Sequence, residues 1–204
     1  MVLFGRMIKR LFRANIEKNV SLGEGVVVWT GTHIRDGASI GNGTSIGENC
    51  YVGPNVSIGS NCKIQNHVLI YEPALVHDGV FLGPGVVITN DLNPRAISVD
   101  GQPKKSSDWV ATYAEIFEGS SLGAGSICVG PVKIGAWSMI AAGSVVTKDV
   151  SDFELVAGVP AKHIGWVGEA GFRLHEFGPN TFKCPKTHFV YQIDSLGRMR
   201  KASI

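Results

Sequence analysis

Aromatic residues are scarce, only 8% of the 204-residue chain, which disfavours an ordinary aromatic-cored globule. A surplus charge of one sign is missing as well. The formal net charge is +2, and no basic motif of nucleic-acid-binding type is present, so no nucleic acid is expected as a partner. The four cysteines, Cys50, Cys62, Cys128 and Cys184, form neither a CxxC pair nor a Cys/His cluster, and no metal site is expected. The first three stand where a repeat otherwise holds small or aliphatic residues. Reduced core thiols of that kind point to the cytoplasm. There is no long apolar run and no cleavage-site pattern, so neither a membrane span nor a signal peptide is expected. Residues 1–15 form an N-terminal segment that is apolar on one helical face (Phe4, Met7, Ile8, Leu11) and basic on the other (Arg6, Lys9, Arg10, Arg13). It reads as a short helix packed on the end of the repeat, with an anchor on anionic lipid as the alternative.

Glycine, by contrast, is abundant at 26 residues, and a period of six runs through the chain. Every sixth residue from Ile16 through Leu22, Val28, Ile34, Ile40 and onward to Leu82 and Ile88 is aliphatic. If about a third of residues were aliphatic, such a run would arise by chance with odds on the order of one in a million. Glycine often follows the aliphatic residue (Gly41, Gly47, Gly53, Gly59), and a small or β-branched residue comes four places after it (Ala38, Thr44, Cys50, Val56). A period of six suits neither a helix nor a half-buried strand for long. It suits a short strand and a turn, with the aliphatic side chain inward and a nearby glycine easing the turn. One such strand cannot bury its apolar face, but stacked coils can. The fold expected is therefore an all-β parallel β-helix over 16–150, with a C-terminal cap and tail over 151–204.

The period breaks between Ile88 and Ile116, 28 residues apart, then resumes at Leu122, Cys128, Ile134, Ile140 and Val146. Residues 89–115 therefore hold a loop excursion, rich in turn residues such as Asn93-Pro94 and Asp100-Gly101. Long loops on rigid scaffolds tend to carry function. Beyond Val150 a cap is expected, with a short helix from Pro160, followed by a turn-rich tail containing Phe189-Val190-Tyr191.

The runs of aliphatic-Gly-x-x-x-x resemble the left-handed β-helix acyltransferases. The left hand is implied by that resemblance; the usual crossover rule would give the opposite hand. Ala157-Gly158-Val159-Pro160-Ala161-Lys162 is similar to the closing signature of their CoA-dependent members. Three further stretches, Lys63-Ile64-Gln65-Asn66, Phe81-Leu82-Gly83-Pro84 and Thr89-Asn90 through Asn93-Pro94-Arg95-Ala96, resemble the N-acetyltransferases that act on UDP- or dTDP-linked 3-amino sugars of lipopolysaccharide and other surface glycans. Asp152-Phe153 through Trp166, and Cys184-Pro185 with Tyr191, fit the same subfamily. The excursion is longer than that family's pattern, with an insert around Asp100 to Ser107. His67 and His77 stand where the family has other polar residues.

The resemblance implies transfer of an acetyl group from acetyl-CoA to a sugar amine in a homotrimer with sites between subunits. An amine attacks the thioester, an oxyanion forms and a thiolate leaves. That thiolate is basic enough to collect the proton itself, so no strong protein base is required. Asn90 is implied to hold the amine; its plainer reading is a turn residue at the loop. Gln65, Asn66 and Arg95 are substrate-contact candidates, set against an Asn ladder between coils for the first two and a loop-bracing salt bridge for Arg95. His33, His67 and His77 are the candidate bases within the repeat, His67 and His77 foremost, although a lone histidine is more often structural. For CoA, Ala141, Ala142 and Gly143 are small enough to let a pantetheine arm lie along the wall, or simply allow tight stacking. Val159, Pro160 and Lys162 are candidates for the adenine and phosphates. A 4-amino sugar or another small amine is the nearest alternative acceptor, and a non-catalytic or metal-binding scaffold the more distant reading.

Overall fold

The structure is a computed structural model that describes residues 13–202. The amphipathic face expected over residues 1–12 lies outside the described residues. From Asn15 to Ala157 the chain winds as a parallel β-helix with three faces. The first face runs from strand Asn15–Ile16 through His33–Ile34, Tyr51–Val52, Leu69–Ile70, Val87–Ile88 and Ile127–Cys128 to Val145–Val146. The second runs from Ser21–Leu22 to Val132–Ile134, and the third from Val27–Val28 to Glu154–Ala157. Most strands pair with the one 18 residues on, as Ile34 with Val52, so three sixes make one coil.

The aliphatic ladder fills the interior. Ile40, Ile58 and Val76 are at most 3% exposed, and the small residues Ala38, Val56 and Cys62 between them are equally buried. The lowest rungs differ. Ile16 and Leu22 are 41% and 42% exposed, because among the described residues the lowest coil has a stacking neighbour on one side only.

Two backbone requirements share each turn. Every sixth residue from Gly25 through Gly43, Asn49, Asn55, Asn61 and His67 to Gly79 and Gly85 takes a left-handed conformation, with φ between 53° and 75°; only position 73 departs. Gly, Asn and His are the residues that tolerate it. Pro73, and Pro131 at the same corner later on, each follow a cis bond instead. The glycines directly after the aliphatic residues serve a different need from the one expected of them. A Cβ on Gly41 would sit 2.5 Å from the carbonyl carbon of Gly59 in the coil above, so these glycines permit close stacking rather than the turn itself.

Val76 pairs with Ile116, forty residues on instead of eighteen, so twenty-two residues leave the coil between the first and second faces. The Thr112 amide donates to the Asn90 carbonyl at 2.8 Å and closes the neck of this excursion. At the far end, the expected helix from Pro160 is replaced by strand Lys162–Trp166, which runs antiparallel to Glu154–Ala157. The edge of the last strand leaves backbone groups unpaired. The turn through Gly158 (φ 102°) brings the chain back to satisfy them. The tail forms a four-stranded antiparallel meander: His175–Gly178, Thr181–Lys183, Val190–Ile193 and Met199–Lys201. Its buried Cys184, Tyr191, Met199 and Leu174 pack with Phe153, Trp137 and Trp166, and so cover the end of the prism.

Candidate functional site

Side chains that can meet a ligand stand on the three corners of the prism, and the sequence-predicted residues divide among all three. At the corner between the first and second faces, Asn90 lies one coil above Glu72. Its Nδ2 donates to the Glu72 carbonyl at 2.6 Å. An amide nitrogen held by a carbonyl turns the amide oxygen the other way, so Asn90 Oδ1 is left as a fixed acceptor. The outer carboxylate oxygen of Glu72 and the hydroxyl of Thr112 are buried beside this neck without hydrogen-bond partners. Arg95 is exposed further out on the excursion. Its Nη1 donates to the carbonyl of Pro94 at 2.9 Å, and it forms no salt bridge among the described residues.

Between the second and third faces stands His77, above a smooth run of Gly23, Gly41 and Gly59. Its Nε2 lies 3.2 Å from Glu115, and its ring stacks on Phe117 at 4.9 Å and 8°. Glu115 also pairs with Lys133 at 3.5 Å. Tyr113, and after it Glu115, push the Lys133 ammonium above its ordinary value. With Nε2 on the carboxylate, Nδ1 is left without a hydrogen bond among the described residues. Glu115 and Phe117 were not legible in the sequence, because they lie across the excursion, where the register is unknown. Knowing the 22-residue offset would have placed Glu115 directly above Leu75, next to His77.

Apart from His33, which stands on the first face 2.9 Å from Glu17, the remaining candidates share the corner between the third and first faces. Asn66 is a structural ladder residue: its Oδ1 accepts the Glu48 amide at 2.9 Å. His67 occupies a left-handed turn position with φ 61°, and its exposed side chain has no hydrogen-bond partner among the described residues. Gln65 lies partly buried on a groove of about 350 Å³ with Trp29, Ser45, Gly47 and Glu48. Three coils higher on this corner, Ala141, Ala142 and Gly143 leave the surface low. A Cβ on Gly123 would meet the Ala142 nitrogen at 2.5 Å, so tight stacking also operates there. Val159, Pro160 and Lys162 are exposed at the adjoining turn, which sits over Val145 through the Ala161 amide at 2.8 Å.

All four cysteines are free and buried. Burial pushes the Cys128 thiol up to about 12. Among the described residues there is no group of three or more His, Cys, Asp or Glu placed to hold a metal ion. No described helix is long and apolar enough to cross a membrane.

The chain matches the family "Bacterial transferase hexapeptide (six repeats)" at residues 19–54, 37–72 and 55–90, and "Hexapeptide repeat of succinyl-transferase" at 118–148. Serine acetyltransferase 4 of Arabidopsis thaliana is 40% identical over 92 residues, 45% of this chain and 25% of that protein. Serine acetyltransferase of Escherichia coli (strain K12) is 34% identical over 88 residues, 43% of this chain and 31% of that protein. The matches thus span about a quarter to a third of these relatives. Among solved structures, a mutant of AntD, an N-acyltransferase from Bacillus cereus, in complex with dTDP-4-amino-4,6-dideoxyglucose and coenzyme A, aligns with a TM-score of 0.62 at 21% identity. The alignment covers 80% of this chain and 88% of that chain, a likeness of fold.

Proposed function

This chain belongs to the hexapeptide-repeat transferases, and we propose that it moves an acetyl group from acetyl-CoA to the C3 amino group of a UDP- or dTDP-linked amino sugar. One observation carries the reading. Asn90 at the neck of the excursion is locked through Nδ2, so its oxygen is a preset acceptor for an amine N–H. With one N–H held there, the amine lone pair is directed at the thioester carbonyl. The C–N bond forms as the carbonyl becomes an oxyanion. Collapse then breaks the C–S bond, and the departing thiolate takes the surplus amine proton, giving an amide and CoA thiol. Ala141, Ala142 and Gly143 offer the low wall for the pantetheine arm, and Lys162 a cation for the phosphates. The free, buried thiols suit a reducing cytoplasm.

The corners bearing Asn90 and Ala142 flank the first face, and a six-residue side spans up to about 20 Å. An amine and a thioester must come within about 3.5 Å. A site that unites the two corners therefore needs a second copy of the chain, which suits a homotrimer with sites between neighbours.

A second reading is favoured by the His77–Glu115 pair. A hydroxyl acceptor, unlike an amine, needs a base to remove its proton, and the curated relatives are serine acetyltransferases. Thiol release from acetyl-CoA, followed with UDP- and dTDP-linked 3- and 4-amino sugars and with L-serine, separates the two. Release with the amino sugars, retained in His77→Asn, is the expected result. Release with serine alone, abolished in His77→Asn, would establish the second reading instead.

A further inference from the structure

We propose that the groove at the lower end of the third-to-first corner is a pyrimidine-nucleotide subsite, in which Trp29 stacks on the base and Gln65 reads its edge. Trp29 occupies the place in its coil that most other coils fill with glycine, and its indole is 55% exposed. An indole this open on a rigid wall loses no packing when a ring covers it, and base stacking on such a platform is favourable. Directly above it Gly47 has no side chain to project over the indole, and close stacking of the coils keeps it so: a Cβ there would meet Asn66 Oδ1 at 2.4 Å. Glu48 and Gln65 border the groove, and neither side chain hydrogen-bonds to another group among the described residues. The volume of about 350 Å³ is that of a small ligand site.

The pairing chemistry accepts a pyrimidine imide, and the small groove of about 350 Å³ disfavours the larger purine ring. A glutamine amide presents one donor and one acceptor side by side. The imide edge of uracil or thymine presents a carbonyl beside an N–H, which is the complement. The Glu48 carboxylate accepts hydroxyl donors such as those of a ribose and repels phosphate, so the diphosphate must leave the groove. The way out runs up the same corner, where Gly83 and Gly123 carry no side chain to block it. It leads toward Ala141, three coils or about 14 Å above Gln65 and five coils or about 24 Å above Trp29. A nucleotide anchored at Trp29 therefore points its sugar toward the acyl donor. This inference rests on the proposed acyl transfer to a nucleotide-linked sugar and names where the nucleotide is held.

Calorimetric titration of the full chain with UDP, dTDP, GDP and CoA tests it. Wild type is expected to bind UDP and dTDP about tenfold or more tightly than GDP. Trp29→Ala and Gln65→Glu should each weaken UDP by about tenfold, and Trp29→Phe by less than about threefold. CoA affinity should be unchanged in all three variants, which also shows that they are folded. UDP binding unaltered in Trp29→Ala, GDP bound as tightly as UDP, or CoA displacing UDP in wild type would overturn the subsite while leaving the acyl-transfer reading standing. Wild type that binds CoA but no nucleotide, and releases no thiol with any amino sugar, would remove both.

Discussion

Asn90 is a small residue with two constraints: its backbone carbonyl closes the excursion and its side chain is tied to the coil below. Removing the side chain leaves the backbone closure intact but takes away the proposed amine acceptor. Asn90→Ala should therefore lower thiol release with an amino sugar by about 10- to 1000-fold while CoA affinity holds; turnover like wild type would take Asn90 out of the chemistry. Cys128 illustrates burial without function. Its thiol is pushed from an ordinary value of 9.0 to about 12 by desolvation in the ladder. The folded state thus keeps its proton where the unfolded chain has lost it, so stability is full below pH 9 and drains away as pH climbs toward 12. Urea midpoints between pH 8 and 11 should fall more steeply for wild type than for Cys128→Val, which has nothing there to titrate. Equal slopes would mean the thiol is not secluded as described. Asn90 was singled out by the resemblance of its Thr89-Asn90 stretch, and the break in the period marked only that it stands where the loop begins. Glu115 was not, since a carboxylate within the regular repeat gives no signal until the fold brings His77 to it.

Within each coil, periodicity fixes which side chains point inward but says little about why a given glycine is present. Gly41 and Gly85 look alike in sequence, yet Gly41 lies against the coil above while Gly85 has open space around a φ of 70°. Gly41→Ala must push backbone apart, at about 2–3 kcal/mol, whereas Gly85→Ala meets only the left-handed penalty of about 1 kcal/mol. Chemical denaturation should rank them in that order; the reverse ranking would show that the coils are not in contact at Gly41. The same limit explains the cap. Proline followed by Ala-Lys-His reads locally as a helix start, but the unpaired edge of Glu154–Ala157 lies beside it in space and captures Lys162–Trp166 as a strand. Tertiary pairing outweighs local preference there. The meander beyond it was equally opaque, because its buried residues Tyr191, Cys184 and Met199 pack on Phe153 and Trp137 of the solenoid as well as with Phe182, Phe189 and Ile193 of the tail.

For the whole molecule, the decisive feature is that a prism turns its corners away from one another. Asn90 and the Ala141–Gly143 wall sit on different corners, and no bending of a cross-paired solenoid brings them together. If three copies surround the axis, each site takes Asn90 from one chain and the low wall from its neighbour. Two inactive variants can then repair each other. Asn90→Ala spoils one half of every such site, and Ala142→Trp fills the proposed pantetheine path in the other. Co-refolding them in equal amounts should restore about a quarter of wild-type thiol release, because about one site in four draws both intact halves from the mixture. A site held within a single chain gives no recovery at any mixing ratio. Equilibrium sedimentation on the same samples should report three chains per particle; a monomer with full activity would require the excursion itself to carry Asn90 across the first face.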